Sequence, residues 1–219
     1  MGGMGLMATV LCLAGESGSG KTTSLRNLDP KTTYIIDADR KGLSWRGWKT
    51  QYNKDNKNYM QTSNIETITQ LLQSLNDKAT HIKVVVIDCL NTIMADEEIA
   101  RMKEAKFDKW QDMAISVWGL ITYSHLLRDD LTVIVMAHTQ TERDEMGFNF
   151  TRIKTSGRKL DKLCLESKFT TVLIAKCVEG KYILETQSKN STAKSPMGLF
   201  DTFEIENDIV PILKKMEEF

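Results

Sequence analysis

Gly15-Glu16-Ser17-Gly18-Ser19-Gly20-Lys21-Thr22 is a complete G-x-x-x-x-G-K-[ST] segment, and its reading decides the fold of this 219-residue chain. Its glycines let backbone amides curl around an anion with no Cβ in the way, and a helix opening near Lys21 adds its positive end. Lys21, read as a solvent-facing loop cation, reaches the outer phosphates, and the Thr22 hydroxyl coordinates Mg²⁺. The run from Gly15 to Thr23 is therefore the candidate nucleotide-binding segment, with ATP and Mg²⁺ as the expected ligands. Context agrees: an apolar strand, Thr9 to Ala14, precedes the loop, and a helix from Lys21 to Leu28 follows, closed by Asp29-Pro30. The competing reading is a glycine-rich turn that binds nothing.

Outward from the loop, short β-branched runs alternate with helical patterns. Strands are expected at Thr33 to Asp37, Lys83 to Asp88 and Leu131 to Ala137. Asp39 to about Ser63 reads as irregular. Ser63 and Glu66 have capping-box spacing and open a helix to about Asp77. Further helices are expected over Thr92 to Lys106, Asp108 to Arg128 and Ile209 to Met216. Thr139 to Thr155 reads as a charged loop, and Ser156 to Glu166 as a short helix. Thr170 to Cys177 and Tyr182 to Gln187 pair across Val178-Glu179-Gly180-Lys181, a hairpin. Strands apolar throughout, alternating with helices, indicate an α/β fold with a mainly parallel sheet. No repeat or linker divides the chain, so residues 1–219 read as one domain.

Two strand ends carry acids. Val84-Val85-Val86-Ile87-Asp88 places a carboxylate beside the phosphate loop, where it holds a metal-bound water. Cys89 rather than Glu follows it, so a water-activating carboxylate must come from elsewhere. Tyr34-Ile35-Ile36-Asp37-Ala38-Asp39 supplies one at the sheet edge where α/β proteins bind ligands, with Asp39 orienting or deprotonating water. The plain alternative for Asp39 is a turn cap.

Together with Val133-Ile134-Val135-Met136-Ala137-His138, these segments resemble the RecA-like P-loop ATPase core. The resemblance implies that Asp39 stands where the family usually has a water-activating Glu. His138 and Gln140 then stand where a polar sensor of the γ-phosphate lies. A satisfied loop histidine is the alternative for His138. The closing stretch, Thr186 to Lys194, Ser195-Pro196-Met197-Gly198-Leu199-Phe200 and Ile205-Glu206-Asn207-Asp208, is similar to bacteriophage RecA-like ATPases, some of which are single-strand annealing recombinases. By that likeness Lys189 and Lys194 reach a neighbouring subunit's nucleotide; an ordinary solvated pair is the other reading. The likeness implies single-stranded DNA, a homo-oligomeric ring or filament, and a phage or host single-strand binding protein as partners.

Composition narrows what DNA binding requires. Lys+Arg 29 against Asp+Glu 29 leaves no net charge, so attraction to nucleic acid must come from a local patch. Arg152, Lys154, Arg158, Lys159 and Lys162 form one, with Phe148 and Phe150 nearby for stacking. A solvated basic face with two apolar anchors is the alternative. Trp45-Arg46-Gly47-Trp48-Lys49 with Tyr52 fits either base stacking or packing over a sheet edge. The Trp110, Met113, Ala114, Val117, Trp118, Ile121 stripe is core or interface. No apolar run is long enough to span a membrane, the N-terminal stretch lacks a basic region, and Gly2 with Leu6 fails the myristoylation pattern. Cys12, Cys89, Cys164 and Cys177 make no C-x-x-C pair; three lie in apolar contexts and read as reduced core residues, which places the chain in the cytoplasm, the host's if phage-encoded. Two other readings stay open: a P-loop small-molecule kinase, and a module that is gated by nucleotide with little turnover.

Overall fold

The computed structural model describes residues 7–104, 108–143, 146–156 and 162–219. Its strands are β1 (Thr9–Gly15), β2 (Thr33–Asp37), β3 (Tyr59–Met60), β4 (Val84–Asp88), β5 (Thr132–Arg143), β6 (Asn149–Ile153), β7 (Thr171–Val178), β8 (Lys181–Glu185) and β9 (Glu204–Glu206). Its helices are α1 (Trp48–Gln51), α2 (Ile65–Lys78), α3 (Leu90–Ala100), α4 (Asp108–His125) and α5 (Ile209–Glu218), with 3₁₀ turns at Thr22–Leu25 and Leu165–Lys168. The sheet runs β3-β2-β4-β5-β1-β7-β8-β9, with β6 off that path, paired to β5 and bridged at Thr151 to Ser191. The six strands from β3 to β7 are mutually parallel, while β6, β8 and β9 are antiparallel. This is the mainly parallel α/β core that the strand composition indicates, with its hairpin at β7–β8 turning through Glu179 and Gly180 at positive φ.

Continuous apolar strands follow from covering both faces. On one face Val10, Cys12, Ile36, Ile87 and Val133 pack against Ile68 and Leu72 of α2, Ile93 of α3, and Val117 and Ile121 of α4. On the other, Leu11, Leu13, Val86 and Ile134 meet Leu25, Tyr52, and Ile209 and Ile212 of α5. Each fully buried aliphatic side chain contributes roughly 1.5–3 kcal/mol, against about 0–1 for an exposed pair such as Lys83–Asp130. Sheet burial therefore holds the frame on which the loops sit. Register brings Gly15 level with His138 and Ala175, and Asp37 level with Asp88, so these carboxyl ends converge on one edge.

Several expectations change. The helix expected from Lys21 to Leu28 is a single 3₁₀ turn, and the Ser24 hydroxyl bonds the Lys21 carbonyl at 2.7 Å, offering the backbone a local alternative to helix. Little helix dipole is therefore available to an anion there. Asn64 rather than Ser63 caps α2, accepting from the Thr67 amide at 2.8 Å, while Ser63 bonds Asp96. The charged loop after β5 is an antiparallel arm: β5 continues past His138 to Arg143, because Thr139, Thr141 and Thr151 suit paired strands, and β6 returns beside it. Of the expected helix Ser156 to Glu166, residues 157–161 lie outside the described residues, and Leu165–Lys168 is 3₁₀. Cys12 and Cys89 are buried as expected for core thiols, but Cys164 and Cys177 are exposed. Cys177 sits where β7 runs out of the core, past the apolar run Val172 to Ala175.

Candidate functional site

β1 delivers the chain into the glycine loop, where contact requires two of the glycines, Gly15 and Gly20. A Cβ on Gly15 would meet the Ala175 carbonyl oxygen and Ser19 Oγ, both at 2.6 Å. Gly20 has φ +90°, and a Cβ there would strike the Tyr182 ring at 2.7 Å. Lys21 is not solvent-facing. It is 7% exposed, and its Nζ donates to the carbonyls of Gly15 and Glu16 at 2.8 Å each and lies 3.4 Å from His138 Nδ1. Burial lowers its pKa, while the Asp88 charge opposes that shift. Ser19 Oγ is buried and finds no partner among the described residues. A cavity of about 320 Å³ lies along the loop, bounded by Glu16, Ser19, Thr139 and Lys176.

Thr22 follows Lys21 and turns its hydroxyl to the sheet, where it donates to Asp88 Oδ2 at 3.1 Å. Because β5 lies between β1 and β4, Asp88 stands two strands from β1, about 10 Å in a sheet, and Thr22 spans the gap. Asp88 is 2% exposed; burial first, with Asp39 nearby, pushes its carboxyl up to about 6. A hydroxyl and a buried carboxylate are the hard oxygen donors Mg²⁺ takes, so Thr22 and Asp88 fit that ion and Gly15–Thr23 fits a polyphosphate.

Two acids close β2 and the structure separates their roles. Asp37 is structural: its Oδ2 accepts from the Gly42 amide at 2.8 Å and the Tyr59 hydroxyl at 2.5 Å. Asp39 turns toward Asp88. Its Oδ1 accepts from Thr92 and lies 3.4 Å from Cys89 Sγ, and its Oδ2 pairs with Lys41. Burial would raise the Asp39 carboxyl, but the Lys41 and Thr92 bonds outweigh it and hold it below the ordinary value. His138 joins this group from within β5, at the last residue paired with β1; burial and the Lys21 and Lys41 charges lower its pKa, keeping the ring neutral. Gln140 points along the arm, donating to Glu142 at 2.5 Å.

As site residues Lys41, Thr92, Cys89 and Asn91 escaped the sequence reading, which took Cys89 for a core thiol and Thr92 for the start of a helix. Lys41 carries a signal only in hindsight, as a cation two residues beyond an acid at the sheet edge. Asn91 and Thr92 are polar residues opening a helix directly after Asp88. Asn91 joins three elements: its Oδ1 accepts from the His138 amide at 2.6 Å and its Nδ2 donates to the Lys154 carbonyl at 2.6 Å.

The remaining candidates scatter. Arg152 is 18% exposed at its side chain and lies between Glu142, at 3.8 Å, and Glu166, at 3.9 Å. Lys154 and Lys162 are exposed; Arg158 and Lys159 lie outside the described residues. Phe148 and Phe150 are exposed on the arm. Lys189 Nζ pairs with Glu204 at 3.1 Å, and Lys194 forms a backbone bridge with Val172; among the described residues neither is hydrogen-bonded to the phosphate loop. The aromatic run packs over the sheet: Tyr52 is 1% exposed with Trp45 edge-on at 6.0 Å, and Trp48 lies 5.4 Å from Tyr59. Among the described residues, no helix is long and apolar enough to cross a membrane.

A family model described as an AAA domain matches residues 7–197, from just before β1 to beyond Lys194. A search of the curated proteins found no significant match.

Proposed function

Because the chain belongs to the AAA-domain family of P-loop ATPases, we propose that it is a Mg²⁺-dependent ATPase of RecA-like type whose nucleotide state sets its hold on single-stranded DNA. The observation that carries the reading is the convergence of Lys21, Thr22, Asp88, Asp39, Lys41 and His138 on one sheet edge. Lys21 neutralises the outer phosphates by charge-assisted hydrogen bonds. Mg²⁺, when bound, supplies further charge compensation to the phosphates. Asp39, ionised at neutral pH, orients an attacking water, and Lys41 beside it faces charge that develops on the transferred group. The neutral His138 ring adds a hydrogen bond at the γ-phosphate side.

DNA binding rests on the arm. The Lys154 amide donates to the His138 carbonyl at 2.8 Å, and Asn91 bonds both residues, so a shift at His138 is passed to the base of β6. Assembly into a homo-oligomer, with Lys189 and Lys194 directed to a neighbour's nucleotide, completes the proposal. A second reading, a nucleotide-gated module with little turnover, is favoured by one observation: both Asp39 oxygens are already engaged and its pKa is lowered, which makes it a weak proton acceptor. Filter binding of labelled single-stranded DNA, with and without ATP and Mg²⁺, tests the main reading. Nucleotide-dependent retention that weakens with salt is expected. No retention under any nucleotide condition would sink the DNA role.

A further inference from the structure

Asp39 and Cys89 lie just past the ends of β2 and β4 and His138 lies within β5, and their donor atoms all lie within 4.8 Å of one another. Each supplies a different donor: carboxylate oxygen, sulfur and imidazole nitrogen. Asp39 Oδ1 and Cys89 Sγ are 3.4 Å apart. In a tetrahedral site with bonds of about 2.0–2.3 Å, neighbouring donor atoms stand about 3.5 Å apart, so that edge already has the required length. The His138 nitrogen completes a third corner after a movement of roughly an ångström, within the reach of a side-chain rotation.

We propose that these three residues form a binding site for a thiophilic divalent cation, Zn²⁺ or its analogue Co²⁺, separate from the Mg²⁺ position at Thr22 and Asp88. Donor chemistry separates the two: sulfur and imidazole suit Zn²⁺, whereas hydroxyl and carboxylate oxygens suit Mg²⁺. The local charge is mixed. Asp37, Asp39 and Asp88 favour a cation and Lys21 and Lys41 oppose it, but Lys21, 3.4 Å from His138 Nδ1, is held on two carbonyls and Lys41 on Asp39 Oδ2; Oδ1 accepts from Thr92 and faces the sulfur, so a cation there shares Oδ1 with Thr92. On binding, a metal–sulfur bond forms and the Cys89 proton leaves to solvent. Three protein donors leave a fourth position open to water or a phosphate oxygen. A cation held there takes the carboxylate oxygen and the space that a water-orienting Asp39 needs, so Zn²⁺ acts as an inhibitor of turnover.

The test uses the full chain free of nucleotide and Mg²⁺, so its result does not depend on the ATPase reading. Co²⁺ is titrated while the near-ultraviolet sulfur-to-cobalt band and the visible bands are followed. A saturating one-to-one signal, displaced by Zn²⁺, is expected. Cys89→Ser should abolish the near-ultraviolet band, and His138→Ala should weaken affinity at least about tenfold. A Cys164→Ser/Cys177→Ser variant, altered only at exposed thiols, should keep the band. Absence of the band in the parent, its survival in Cys89→Ser, or its loss in the exposed-thiol variant would overturn the proposal; circular dichroism on each variant shows that the fold persists.

Discussion

Asp88 is a buried acid whose burial opposes its charge, a cost that agrees with the proposed role in holding Mg²⁺ rather than with a role in stability. A carboxyl raised above its unfolded value adds most to stability below the unfolded pKa, near 4, and loses that contribution as pH rises through about 6. Asp88→Asn keeps an oxygen for the Thr22 hydroxyl and removes the charge. Without metal at pH 8 it should raise unfolding stability by about 1–3 kcal/mol, and the gain should vanish near pH 4. Urea denaturation at the two pH values checks this; an Asn variant less stable at pH 8 would contradict it. Asp39 differs, because Lys41 and Thr92 hold it ionised. Asp39→Asn should leave ATP affinity within about twofold and slow hydrolysis about 100-fold, the low end of what a positioned proton acceptor supplies. Phosphate-release kinetics measure the loss. A parental rate in this variant would remove Asp39 from the chemistry.

At the scale of elements, the arm and α3 meet the nucleotide site through Asn91 alone among the side chains that bond both His138 and Lys154 in the described residues. Asn91→Ala should leave ATP binding intact and DNA binding measurable, but should reduce the effect of ATP on DNA affinity severalfold. Paired DNA titrations with and without ATP read that coupling directly, and an undiminished ATP effect would show that it travels elsewhere. What the sequence made legible was also set by elements. Apolar runs such as Val84–Asp88 announce a buried strand wherever they occur, and the glycine loop announces itself by residue type. The arm did not, because Thr139 to Arg143 alternates polar residues that pair only once β6 lies beside them. The short turn after Lys21 was equally hidden, since Ser24 competes for the backbone through a side-chain bond that a helical pattern does not register. Lys41 and Thr92 reach Asp39 across a fold, and no local spacing marks such a contact.

Over the whole molecule, a parallel sheet buried on both faces fixes six strand ends with little freedom, and the site is what those ends carry. β1 brings Gly15 and the loop, β4 brings Asp88, β2 brings Asp39 and β5 brings His138; the AAA-domain match covers all four. The central claim is that this edge binds ATP through Lys21. Because Lys21 is buried, Lys21→Met is the appropriate variant: its apolar stem fills the same space and only the cation is lost. Calorimetric titration of ATP with Mg²⁺ into the parent and into Lys21→Met is the decisive measurement. The parent should bind at one site per chain, and the variant, with unchanged circular dichroism, should bind about 100-fold more weakly, or about 2.8 kcal/mol, the scale of hydrogen bonds to charged groups. Equal affinity in the two proteins would contradict the account.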